Sequence, residues 1–101
     1  MVVIRYTWHI EAHFEEARKV WMEVRTPESS ALRGFRGYQA RTGLTNTLAL
    51  EWEFESLADW EAFLPQFAAL PANAEKLRRW DELVPGGATV EIWDLLESGQ
   101  T

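Results

Sequence analysis

Residues 47–59, TLALEWEFESLAD, carry a strand pattern that passes straight into a helix signal. Leu48, Leu50, Trp52 and Phe54 alternate with Ala49, Glu51, Glu53 and Glu55. That period of two belongs to a strand with one buried and one wet face. Ser56, with Asp59 three residues on, has the form of a capping box and predicts a helix start. The helix carries Leu57, Trp60, Phe63, Leu64 and Phe67, and Pro65 within it is expected to kink or end it.

Working outward, residues 2–10 alternate as well. Ile4, Tyr6, Trp8 and Ile10 fall on one face, and Val3, Arg5, Thr7 and His9 on the other. The next stretch sets Phe14, Ala17, Val20, Trp21 and Val24 in one helical stripe, with a stop expected at Thr26-Pro27. ESSALRGFRG reads as a connector, and YQART as a second strand joined to the third by a turn around GLTN. A three-residue loop there would pair Tyr38 with Trp52 and Gln39 with Glu51. Pro71 and Asn73 restart a helix in which Leu77, Trp80 and Val84 point inward, and ATVEIWDLLE makes a final strand.

The order strand, helix, strand, strand, helices, strand predicts an α+β fold. Right-handed crossovers make it a ferredoxin-like βαββαβ sandwich, spatial order four-one-three-two, with helices on one face of an antiparallel sheet. Residues 1–101 are expected to form a single domain of this kind.

Composition narrows the function. The formal charge of −6, from 10 basic and 16 acidic residues, gives no general attraction for phosphate backbones or anionic membranes. No cysteine is present, so disulfides, thiolate metal sites and thiol nucleophiles are excluded. No apolar run approaches the length of a membrane span, and MVVIRYTWHI does not read as a signal peptide. A cytoplasmic location is the expectation.

RGFRGYQA, residues 33–40, opens like the octamer with which RNA-recognition motifs stack bases. It leads into the second strand instead of lying on the third, and Arg36, Gly37, Tyr38 and Ala40 miss the pattern. The third strand presents Glu51, Glu53 and Glu55, which would repel phosphate, so no nucleic-acid partner is expected. Gly34 and Gly37 are expected to turn the chain sharply, and Phe35 to plug the core edge. HIEAH, residues 9–13, is not a metalloprotease helix, because its glutamate is out of place and His9 falls on a strand. No metal site is expected.

The sheet face away from the helices collects Arg5, Arg41, Glu51, Glu53 and Glu91 with Trp93 and Leu95. One reading is a solvated face with cross-strand ion pairs. The other is a homodimer face, favoured because Trp93 and Leu95 gain little by standing in water.

Aromatics make 13% of the chain, with six Trp, five Phe and two Tyr. Tyr6, Trp8, Tyr38 and Trp52 on the sheet are expected to confront Trp21, Trp60, Phe63, Phe67 and Trp80 on the helices. Either this is a filled core, or it is a flat apolar pocket for an aromatic small molecule.

Gly34-Phe35 before the second strand, then Trp52, Ser56, Trp60 and Phe63 running from the third strand into the capped helix, resemble the dimeric α+β barrel superfamily. The likeness is to antibiotic-biosynthesis monooxygenase-like and NIPSNAP-like domains. It implies a homodimer with a pocket between helices and sheet in each subunit. Relatives include cofactor-free oxygenases of quinone-like substrates and haem-handling enzymes. This chain has no histidine beyond His13, where haem-handling relatives place their iron ligand, and no asparagine on its first strand. No cofactor is therefore expected. For an oxygenase the candidate bases are His9 and Tyr6. The alternative is a non-catalytic dimerising module with a packed core.

Overall fold

In the computed structural model, which describes residues 1–29 and 31–99, the elements follow the expected order. They are β1 (Val2–His9), α1 (Phe14–Glu23), β2 (Leu32–Gln39), β3 (Thr47–Phe54), α2 (Leu57–Ala69) and α3 (Ala74–Leu83), closed by β4 (Thr89–Asp94). One 3-10 turn, Pro71–Asn73, leads from α2 into α3. The sheet is antiparallel with order β2-β3-β1-β4, the arrangement read from the sequence.

β1 pairs Ile4 with Trp52 and Arg5 with Glu51 on one side, and Arg5 with Glu91 on the other. Directly opposed residues share a face, so the alternation of β1, β3 and β4 is kept. Ser56 caps α2 by accepting from the Asp59 N–H at 3.3 Å. Pro65 does not end α2, which continues to Ala69.

β2 departs from expectation. It begins at Leu32 and ends at Gln39, so Phe35 stands opposite Trp52, Tyr38 opposite Ala49 and Gln39 opposite Leu48. The connection to β3 spans residues 40–46 and is closed by the Ala40 N–H donating to the Thr47 carbonyl at 2.9 Å. Gly43 and Asn46 take positive φ there, 78° and 56°. This longer loop turns Tyr38 and Gln39 to the faces opposite those expected, and a register shift between Leu32 and Gly34 marks the start of the strand. Tyr38 therefore leaves the helix side for the outer face, and Gln39 does the reverse. Arg41 lies in the loop beyond β2 and is not a cross-strand partner of Glu51. Gly34 and Gly37 sit within the strand, and neither has positive φ.

The core divides in two. Val2, Ile4, Trp52, Phe54 and Phe63 form one buried cluster, which α2 covers. Ile10, Ala17, Leu48, Trp80 and Val84 form the other, between α1, α3 and the far end of the sheet. No helix among the described residues is long and apolar enough to cross a membrane.

Candidate functional site

Between the two clusters lies a cavity of about 530 Å³, within the usual size of small-molecule sites. Its sheet side is made by Tyr6, Trp8, Leu50 and Trp52, and α3 supplies Leu77 and Trp80. Trp21 of α1 and Leu64 and Phe67 of α2 close the remaining sides. The lining is almost wholly apolar. Met22, Val24, Thr26 and Phe35 border both this cavity and a shallower groove along residues 24–29, and so form its mouth. Phe35, expected to plug the core, is 58% exposed at that mouth.

Of the aromatics expected in a pocket, Trp8, Trp21, Trp52, Phe67 and Trp80 line the cavity. Phe63 does not, being buried in the α2-covered cluster. Trp60 stands behind Tyr6, and Tyr38 is on the opposite face of the sheet. Phe35, Leu50 and Leu77 were not expected; only the true β2 register reveals the first.

Gly37 explains how Trp21 reaches the sheet. A Cβ built on Gly37 would lie 2.1 Å from Trp21 Cη2, closer than real atoms approach. The indole occupies the space that any other side chain would fill. The glycine is thus required by close approach rather than by a turn.

Besides the Thr26 hydroxyl and the indoles of Trp8, Trp21 and Trp80, three polar groups stand at or beside the cavity. The Trp60 Nε1–H donates to Tyr6 Oη at 3.1 Å. Burial raises the Tyr6 phenol above its ordinary range, the bond from Trp60 opposing in part, so it is a neutral phenol at pH 7. Trp52 is 3% exposed, and its Nε1–H has no acceptor among the described residues. Tyr6, Phe63 and Phe67 meet this indole edge-to-face at centroid distances of 5.0–5.4 Å, so aromatic rings surround it.

Asn73, fully buried, is the third group, and composition gave no hint of it. Its Oδ1 accepts from the Arg25 N–H at 2.7 Å, and its Nδ2 donates to the Arg25 carbonyl at 2.6 Å. A longer bond from Nδ2 reaches the Phe67 carbonyl at 3.5 Å. One side chain thereby ties the strand-like segment after α1 to the end of α2, two walls of the cavity.

The outer sheet face holds Arg5, Glu51, Glu53, Glu91 and Trp93, as the alternation predicts. Arg5 Nε donates to Glu51 at 2.8 Å, and Tyr38 Oη donates to the same carboxylate at 3.1 Å. The bond to Glu51, with Glu91 adding attraction, holds the Arg5 guanidinium firmly protonated. Trp93 is 52% exposed on this face. His9 lies here too, its Nδ1 3.4 Å from Thr47 Oγ1, so it shares no site with Tyr6. Among the described residues no group of three or more His, Asp or Glu side chains is placed to hold a metal ion.

No family model matches the sequence, and no curated protein matches it. Solved structures do. A NIPSNAP domain protein from Burkholderia xenovorans superposes with a TM-score of 0.75 at 17% identity, over 100% of both chains. A NIPSNAP family protein from Agrobacterium tumefaciens gives 0.74 at 18% identity, over 91% of this chain and 90% of that one. An antibiotic biosynthesis monooxygenase gives 0.71 at 11% identity, over 96% of this chain and 100% of that one. Likeness at such identities speaks to architecture alone: the chain has the ferredoxin-like α+β fold found in NIPSNAP-domain and antibiotic biosynthesis monooxygenase structures.

Proposed function

We propose that the chain binds a flat, largely apolar aromatic molecule in the cavity between helices and sheet, and that it does so as a homodimer joined through the outer sheet face. The cavity is the observation that supports binding. A space of about 530 Å³ walled by Trp8, Trp21, Trp52 and Trp80 costs packing that a purely structural module would retain. That cost weighs against the alternative of a dimerising module with a filled core.

Chemistry at such a site follows its substrate. No carboxylate, imidazole or amine among the described residues lines the cavity, and His9 faces away. A cofactor-independent oxygenase reaction on a quinone-like substrate would thus begin from a substrate that arrives already ionised.

Binding is tested with fluorene, 9-fluorenone, flavone and 1,4-naphthoquinone. The expected result is quenched Trp fluorescence together with a melting temperature raised by several degrees at saturation. Leu77→Trp, which fills the cavity, is expected to abolish both effects. A panel that produces neither response in the wild type would overturn the reading.

Light scattering tests the dimer, expected at twice the 11.7 kDa chain mass. Arg5→Glu removes the pair with Glu51 and sets a third carboxylate between Glu51 and Glu91. Monomers at micromolar concentration are expected from this variant. An Arg5→Glu protein of unchanged mass and stability would contradict the assignment of this face.

A further inference from the structure

No charged side chain among the described residues lines the cavity, and half of its lining residues are aromatic. Trp8, Trp21, Trp52 and Trp80 supply the largest rings, with Tyr6 and Phe67 beside them. An aromatic ring is electron-rich on its faces and electron-poor along its edge. Rings of one shared orientation could all meet a ligand edge-on. These rings do not share one. Trp8 and Trp80 cross at 82° with centroids 5.3 Å apart, Tyr6 and Trp52 at 71° and 5.4 Å, and Trp52 and Phe67 at 69° and 5.1 Å. A ligand enclosed by crossed walls meets ring faces as well as edges, and tryptophan faces attract positive charge most strongly.

Two further observations set the sign and the kind of charge. The chain carries a formal charge of −6, so cations are drawn toward it and anions are not. Within the cavity no carboxylate of the described residues waits to pair with a cation. Arg25 and Glu28, of opposite sign, line only the outer groove. A compact ammonium or metal ion would therefore lose its hydration without gaining a counter-charge. A cation spread over a planar ring holds water more weakly and loses less on entry.

We propose that the cavity is an aromatic cage that prefers flat cations with a quaternised ring nitrogen, the N-alkylated nitrogen heterocycles, over neutral molecules of the same shape. The inference rests on the cavity being a binding site and adds to that reading the charge of the ligand.

The test compares 1-methylquinolinium with 1-methylnaphthalene by equilibrium dialysis in sodium chloride of about 0.5 M, which screens the long-range attraction of the net charge. The two ligands share their shape and differ by one positive nitrogen in place of carbon. Neither carries a hydrogen-bond acceptor. The indole N–H groups of Trp8, Trp21 and Trp80 and the hydroxyls of Tyr6 and Thr26 therefore cannot tell them apart. The wild type is expected to bind the cation about five- to twentyfold more tightly. Trp8→Leu keeps an apolar wall without a ring, and Trp8→Phe keeps a ring of weaker pull. The ratio of cation to hydrocarbon affinity is expected to fall about threefold or more in the first and by less in the second. Equal or tighter binding of the hydrocarbon by the wild type would overturn the charge preference and leave the cavity a neutral site. A ratio unchanged in both variants would overturn the cage. If neither of the pair binds while fluorene does, the cation preference alone is overturned. If fluorene also fails, the binding reading falls, and this inference with it.

Discussion

Asn73→Ala is expected to lower the melting temperature by roughly 10–30 °C, the largest effect of any single polar substitution among the described residues. The side chain is fully buried and acts as an extra length of backbone, pairing both the N–H and the C=O of Arg25. Alanine strands both groups, together with a share of the Phe67 carbonyl, where water reaches them poorly. Unpaired buried groups of this kind cost about 1–3 kcal/mol each, partly relieved as the segment loosens, for a total of about 2–4 kcal/mol. Thermal denaturation followed by circular dichroism measures it. Asn73→Asp sharpens the result: it keeps the acceptor for Arg25 N–H but points an oxygen at the Arg25 carbonyl, so it too is expected to be destabilised. A shift below about 3 °C for alanine would show that the clasp contributes little to folding.

Gly37→Val carries the second large effect, and it falls on binding as much as on stability. Even the first carbon of a side chain would overlap the Trp21 indole, at 2.1 Å from Cη2. Trp21 must swing out, removing one wall of the cavity. The expected outcome is a loss of about 1–3 kcal/mol in stability, as for overpacked cores, and more than tenfold weaker binding of 9-fluorenone. Denaturant unfolding and dialysis measure the two. Combining Gly37→Val with Trp21→Ala relieves the overlap, so the double variant is expected to be more stable than the sum of the single changes predicts. Simple additivity would show that glycine and indole do not share this space.

Three of the four strands are legible in the sequence, for a physical reason. β1, β3 and β4 each have a wet face and a less polar one, and alternation records that asymmetry. β2 has no such record. LRGFRGYQ has a glycine on each face, because its helix side needs an absence at Gly37 and its outer side holds Tyr38 for Glu51. A period-two template therefore gives no preferred register, and the loop length decides it. A shorter loop would set Tyr38 on the helix side and Arg41 in the strand; the seven-residue connection places Tyr38 on the outer face and Arg41 in the loop, while Arg5, Glu51 and Glu91 keep the faces their alternation predicts.

The aromatic lining of the cavity was legible in kind, but its shape was not. Composition announces an aromatic interior, and the tryptophans that line the cavity stand on the expected faces. Whether rings fill their space or enclose it depends on side-chain packing in three dimensions, which no periodicity encodes. Asn73 was invisible for a related reason. It looks like an ordinary helix-start residue, and its partner Arg25 is 48 positions away along the chain.

The division of the core into two clusters bears on how such a protein diversifies. Phe54 and Phe63 on one side, Ile10 and Ala17 on the other, are buried without lining the cavity. They carry folding stability in places where a ligand never reaches. Leu50, Leu64 and Leu77 do the converse, shaping the cavity while contributing modestly to either cluster. Trp52 and Trp80 are the side chains that serve both. Mutational drift can therefore resculpt the interior at the leucines and leave folding nearly intact, while the two tryptophans resist change. A scaffold partitioned in this way can acquire new ligands without first acquiring surplus stability.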